Sequence, residues 1–209
     1  RMGDCSFAMK QYWPAMESYN KAIALNEREG AYPKFQKAMS YGFVDRNPKK
    51  IETLLNLQNT YPRDPLLDDA LFELASAYSR AGSFDQAIKT YDRLLSEFNT
   101  SPYLAQSALN KGLILYNMER YEQARTVLEG VVVKYKRYAV AQQAVRTLRE
   151  IAVDQGNVGA FTQWLRSQNL TTFSDVELEK TAFVAAEKRF LEGNTGAAER
   201  LLNEYLENY

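Results

Sequence analysis

The sequence predicts an all-α fold of paired helices repeated along the chain, and three observations carry that prediction. First, GSFDQAIKTYDRLLSEF (82–98) lies without a gap over GNTGAAERLLNEYLENY (193–209), so that Gly82 meets Gly193, Ala87 meets Ala198, Leu95 meets Leu206 and Phe98 meets Tyr209. Second, this offset of 111 is three times 37, and steps of 37 from Ala87 reach Ala124 and Phe161 forwards and Lys50 backwards; 35 further back stands Ala15. Third, apolar residues within a copy recur at offsets 0, +4, +7 and +11, which is one face of a helix.

The second helix of each unit carries that face: Ala87, Tyr91, Leu94 and Phe98 in the third unit, and Ala124, Leu128, Val131 and Tyr135 in the fourth. Such a helix runs about 15 residues, or ~22 Å. The preceding helix reads from DDALFELASAYSRAG (68–82), AQSALNKGLILYNMER (105–120), AQQAVRTLREIAVDQG (141–156) and VELEKTAFVAAEKRFLEG (176–193). Asp64 before Pro65 and Ser101 before Pro102 predict a capping oxygen followed by a first-turn proline. Ser174 and Glu177 have the spacing of a capping box. Gly82, Gly156 and Gly193 fall at the turns between paired helices, where a left-handed residue reverses the chain. Pro14 and Pro48 fit the first turn of a second helix. The small residue at Ala15, Ala87, Ala124 and Ala198 lets two helices approach closely; Lys50 and Phe161 break that rule and predict a local splaying of the pair. The period divides the chain into about six units, approximately 1–27, 28–63, 64–100, 101–137, 138–173 and 174–209, in one array with a shared core.

Composition narrows the function. Lys+Arg and Asp+Glu balance at 26 each, whereas a nucleic-acid binder shows a basic surplus; no nucleic-acid partner is expected. No apolar run approaches ~18 residues, so no membrane insertion is expected, and RMGDCSFAMK does not read as a secretory leader. The 209 residues include no histidine and a single cysteine, Cys5. That removes the commonest general base and zinc ligand. No Gly-rich phosphate loop, H-E-x-x-H or nucleophile elbow is present. Asp68 with Asp69, and Glu177 with Glu179, stand at first-helix starts, where they complement the helix dipole. Lys134, Lys136 and Arg137 read as a solvated turn. The expectation is a non-enzyme with no catalytic residue, no cofactor and no metal.

Helix pairs at this period with the pattern G-x-[FY]-x-x-A resemble the tetratricopeptide (TPR) repeat. Leu74, Ala75, Tyr78, Gly82, Phe84, Ala87 and Tyr91 carry the resemblance in the third unit, and Gly112, Tyr121, Ala124 and Leu128 in the fourth. It implies a right-handed α-α superhelix, a TPR solenoid, although the basic unit of 34 residues is lengthened here to 35–37. The extra residues lie in TYPRDP (60–65) and EFNTSP (97–102). Those junctions resemble bacterial cell-envelope TPR proteins of the Tol–Pal coordinator and outer-membrane assembly lipoprotein type. RMGDC, YNKAIAL, FQKAMSYG and VGAFTQWL are similar to a large multi-repeat TPR protein of Bacteroidetes. The resemblance implies an interaction scaffold, periplasmic or outer-membrane-associated. Gly3 takes the place of Gly112 inside a first helix, and neither end reads as a polar cap, so a segment of a longer array is expected.

In the family, first helices line the concave surface and ligands lie along it. Carried onto this sequence, the groove-facing positions are Phe35, Phe72, Leu109, Arg146 and Phe183. One turn on come Met39, Ser76, Leu113, Glu150 and Glu187; two turns on come Phe7, Gly42, Ser79, Tyr116, Val153 and Phe190. Leu109, Leu113 and Tyr116 form an i, i+4, i+7 stripe. The expected function is a non-catalytic scaffold that takes a peptide or protein segment at Phe35, Phe72, Leu109, Leu113, Tyr116 and Phe183, with Phe72, Leu109 and Tyr116 as anchors. Alternatively, the stripe packs against the next unit's first helix, and the array is a structural module that stacks end-on or self-associates. No unit pairs Lys with Asn as the chaperone-tail clamp of the family requires.

Overall fold

The computed structural model describes residues 1–25, 30–170 and 173–208. The expected unit boundary at 27/28 and the match of Phe98 to Tyr209 lie outside the described residues. Among the described residues the protein is all-α. Six first helices are α1 (Met2–Ala8), α3 (Ala31–Phe43), α5 (Leu67–Arg80), α7 (Leu104–Asn117), α9 (Ala139–Gln155) and α11 (Asp175–Leu191). They alternate with α2 (Tyr12–Leu25), α4 (Asn47–Thr60), α6 (Phe84–Glu97), α8 (Tyr121–Lys134), α10 (Val158–Ser167) and α12 (Thr195–Asn208). The chain forms two compact units, Arg1–Ser107 and Ala108–Tyr209, whose boundary falls inside α7.

The repeated face is buried as its period demands. In the first unit Ala87, Tyr91 and Leu94 are buried, and Leu94 joins Ala38, Leu54, Leu57, Leu67, Ala70, Leu71 and Leu74 in one cluster. Each such leucine contributes about 1.5–3 kcal/mol by leaving water. In the second unit Ala124, Leu128 and Val131 are buried on α8 against α9. Close approach is literal at Gly112, where an added Cβ would sit 2.5 Å from Leu128 Cδ2; Gly3 stands in the same relation to Tyr19. Both pairs are 109 residues apart, so the register read from sequence is the register of packing.

Lys50 departs from the alanine rule in a way the sequence did not disclose. Its side chain is 2% exposed and its ammonium pairs with Glu73 of α5. Room for it comes from Gly42 of α3, where an added Cβ would lie 3.3 Å from Lys50 Cδ. The volume gained at one position is given back at another, and the buried charge is neutralised.

The turns follow one design. Lys10, Asp45, Gly82, Glu119, Gly156 and Gly193 all have positive φ, one residue per helix pair in the same register. At the third pair, the Gly82 and Ser83 amides donate to the Ser79 and Tyr78 carbonyls, closing the helix in a Schellman turn. Glycine adopts this conformation freely, while Lys, Asp and Glu adopt it at a cost.

The capping box is present: the Glu177 amide donates to Ser174 Oγ while Glu177 Oε2 accepts from the Ser174 amide. Pro48 lies in the first turn of α4. Asp64 and Ser101 require a correction. Their side-chain oxygens accept from the Leu66 and Tyr103 amides, two residues on. They close a turn ahead of the helix, so Pro65 and Pro102 sit in that turn and α5 and α7 begin later. The cause is local: an Asp or Ser oxygen reaches the amide two residues away as readily as a helix amide.

Candidate functional site

The first-helix face divides into covered and open stretches. In the first unit, Phe35 and Phe72 are half-buried against the leucine cluster. The Phe72 ring stacks on Tyr103, with centroids 4.6 Å apart and planes 18° from parallel. Tyr103 is itself fixed by donating its hydroxyl to Asp69 at 2.6 Å. That bond, with burial adding to it, pushes the Tyr103 phenol up to about 12. Phe72 is thus held in the packing between repeats.

In the second unit, Leu109 is 0% exposed. A side chain with no accessible surface cannot anchor a partner, and the i, i+4, i+7 stripe turns its first member into the core. Leu113 and Tyr116 are half-buried. Tyr116 donates to Asp154 of α9 at 3.2 Å, and Asp154 also accepts from Lys188 of α11. Burial and the Asp154 charge push the Tyr116 phenol up to about 12. Arg189 donates to the Asp154 carbonyl, so a side chain of α11 caps the end of α9. Tyr116, Asp154, Lys188 and Arg189 tie α7, α9 and α11 together at one end.

Open surface lies farther along. Phe183 is 46% and Phe190 63% exposed on α11, with Phe183 meeting Tyr205 of α12 edge-on at 5.9 Å. Between α9 and α11 runs a groove of about 320 Å³. Val153 and Val184 give it apolar walls, and Arg149, Glu150, Glu177 and Lys180 give it two charges of each sign. Arg149 pairs with Glu150 at 2.9 Å and lies over the Phe173 ring, 5.0 Å from its centre. Glu150 and Val153 were on the expected groove positions. Arg149, Lys180 and Val184 were not, because they project from the flanks of the helices and reach the groove only through packing.

Nothing in this arrangement pairs a nucleophile with a base. Among the described residues, no group of three or more His, Cys, Asp or Glu side chains could hold a metal ion, and no helix is long and apolar enough to cross a membrane.

Stacked helix pairs with small residues at the close contacts, a left-handed turn in each pair and a charged groove between first helices define an α-helical repeat scaffold. A family model described as tetratricopeptide repeat matches residues 57–103 and 72–136, so that this stretch of the chain is similar to tetratricopeptide repeats. No curated protein matches the sequence significantly. Among solved structures, MamA is similar at 15% identity and a TM-score of 0.67, over 86% of this chain and 95% of MamA. A tetratricopeptide repeat protein from Parabacteroides merdae is similar at 13% identity and a TM-score of 0.65, over 98% of this chain and 76% of its own. YrrB, described as a TPR protein with an unusual peptide-binding site, is similar at 14% identity and a TM-score of 0.59, over 92% of both chains. At these identities the likeness concerns the fold.

Proposed function

We propose that the protein is a non-catalytic interaction scaffold that binds a peptide or protein segment along its first-helix face, centred on the groove between α9 and α11. The observation that carries this reading is the groove itself: apolar walls at Val153 and Val184, flanked by charges of both signs. A segment laid there buries an apolar side chain and meets both charges, and preformed helices lose little order on binding. Of the positions expected from sequence, Phe183, Leu113 and Tyr116 remain available to such a partner. Phe35 and Phe72 serve packing first, and Leu109 acts only through its neighbours. Peptide binding by YrrB, a protein of similar fold, agrees with the reading. Association with the cell envelope, periplasmic or at the outer membrane, belongs to the same proposal and rests on the Tyr-Pro…Pro junctions. Kinship with multi-repeat TPR proteins of Bacteroidetes rests on YNKAIAL and VGAFTQWL.

The test is affinity capture with the full chain and with Val153→Glu and Val184→Glu, which place a charge in the groove wall. Loss of the captured proteins in both variants is expected; an unchanged set contradicts the groove. A second reading, end-on stacking or self-association, is favoured by the exposed Phe183, Phe190, Leu191 and Leu206 of the last helix pair. Light scattering that shows concentration-dependent dimers, abolished by Phe190→Glu, would select it.

A further inference from the structure

Phe161 breaks the alanine column, standing where Ala124 and Ala198 stand one step back and one step forward. Beside its ring a cavity of about 140 Å³ opens between α8 and α10, floored by Leu148, Ile151 and Ala152 of α9. An apolar space of about 150 Å³ holds one benzene-sized group, so this one suits the head of a single side chain. Its rim is polar, and two of the polar groups there are unused by the fold.

Glu129 of α8 lines the cavity half-buried. Among the described residues it makes no hydrogen bond or ion pair, and the nearby guanidinium of Arg125 is bound to Glu122. Two carboxylates thus share one cation. Burial pushes the Glu129 carboxyl above its ordinary value, with Arg125 opposing the rise and Glu122 adding to it. A carboxylate that has lost water without gaining a partner is costly, and one negative charge is left over. Asn157 heads α10, where an asparagine ordinarily caps the helix, yet its side chain makes no cap bond. Asn194, 37 residues on, does cap: its side-chain oxygen accepts from the Ala197 amide at 3.2 Å. Asn157 instead lines the cavity with its oxygen unused. Half-buried Trp164 completes the wall, backed by Phe161 with centroids 6.4 Å apart and planes at 29°. A carboxylate, an amide oxygen and an aromatic face match a planar, weakly hydrated guanidinium with five N–H donors. A compact ammonium matches the charge but not the plane, and Glu129 opposes an anion.

We propose that this cavity takes the guanidinium of an arginine presented by a peptide partner, with Glu129 and Asn157 accepting its N–H groups and Trp164 lying against its plane. The site is separate from the α9–α11 groove and does not rest on it. The probes are N-acetyl-arginine amide, N-acetyl-lysine amide and the uncharged isostere N-acetyl-citrulline amide. Each is titrated into the full chain and followed by NMR at the Trp164 indole N–H and the Asn157 side-chain amide. Saturable shifts are expected at both, with the arginine probe at least ~10-fold tighter than the citrulline probe and tighter than the lysine probe. Glu129→Gln should weaken the arginine probe about tenfold or more. It should leave the melting temperature equal or higher, because that carboxylate has no partner to lose. Trp164→Leu, read at Asn157, should weaken binding about threefold or more. Val184→Glu on α11 should leave it unchanged, which separates failure here from failure of the first-helix groove. No saturable shift, a citrulline or lysine probe as tight as the arginine probe, or a Glu129→Gln variant that binds equally or melts lower would overturn the proposal.

Discussion

Phe72 and Phe183 hold the same place in the repeat, 111 residues apart, and meet opposite fates. Tyr103 lies over the first, and Asp69 holds Tyr103 in place. The second meets Tyr205 edge-on at 5.9 Å and is 46% exposed. Lys180 stands on α11 where Asp69 stands on α5, so even the acceptor that would fix a covering tyrosine has been replaced by a cation. One column of a repeat thus stacks face to face on its neighbour in one unit and meets it edge-on in another. What decides is the neighbour and its hydrogen bond, not the residue in the column.

The largest expected effect separates the two phenylalanines directly. Phe72→Ala should destabilise by about 2–4 kcal/mol, somewhat under a fully buried site, and Phe183→Ala by less than about 1 kcal/mol, as read by urea unfolding. Glu73→Ala comes next. It strands the buried Lys50 ammonium and should cost about 2–3 kcal/mol, less than the full penalty because Glu73 keeps some water. The double variant Lys50→Ala/Glu73→Ala should recover much of that loss in the same assay.

The tyrosine that covers Phe72 gives a pH test. Unfolded, its phenol deprotonates near the ordinary value of 10.0; folded, it keeps its proton to about 12. The raised folded value means that the stabilisation is complete below pH 10 and is lost as pH rises towards 12. Tyr116 behaves alike against Asp154. The melting temperature should fall steeply across that interval, and Tyr103→Phe or Tyr116→Phe should make the fall shallower. The smallest effect belongs to the turns: Glu119→Gly should stabilise by about 0.5–1 kcal/mol, while Gly82→Ala should cost about 1 kcal/mol, both measured by thermal melting.

The helix pairs were legible because burial repeats with the helical period, and the alanine column was legible because close contact admits little else. The left-handed turns were legible at Gly82, Gly156 and Gly193 and silent at Lys10, Asp45 and Glu119, since a cost near 1 kcal/mol does not force glycine. Lys50 could not be understood without Gly42 and Glu73, which stand on the helices before and after its own. The six expected groove residues put buried Leu109 beside exposed Phe183 for a related reason: helical spacing gives the face but not what lies over it.

The most direct test of the central claim is photocrosslinking in cells that make the full chain, with p-benzoylphenylalanine placed at Phe183 or, in parallel, at Phe72. A protein adduct at 183 and none at 72 is the expected result. Equal adducts at both positions, or none at 183, would contradict the assignment of the open first-helix surface to a partner.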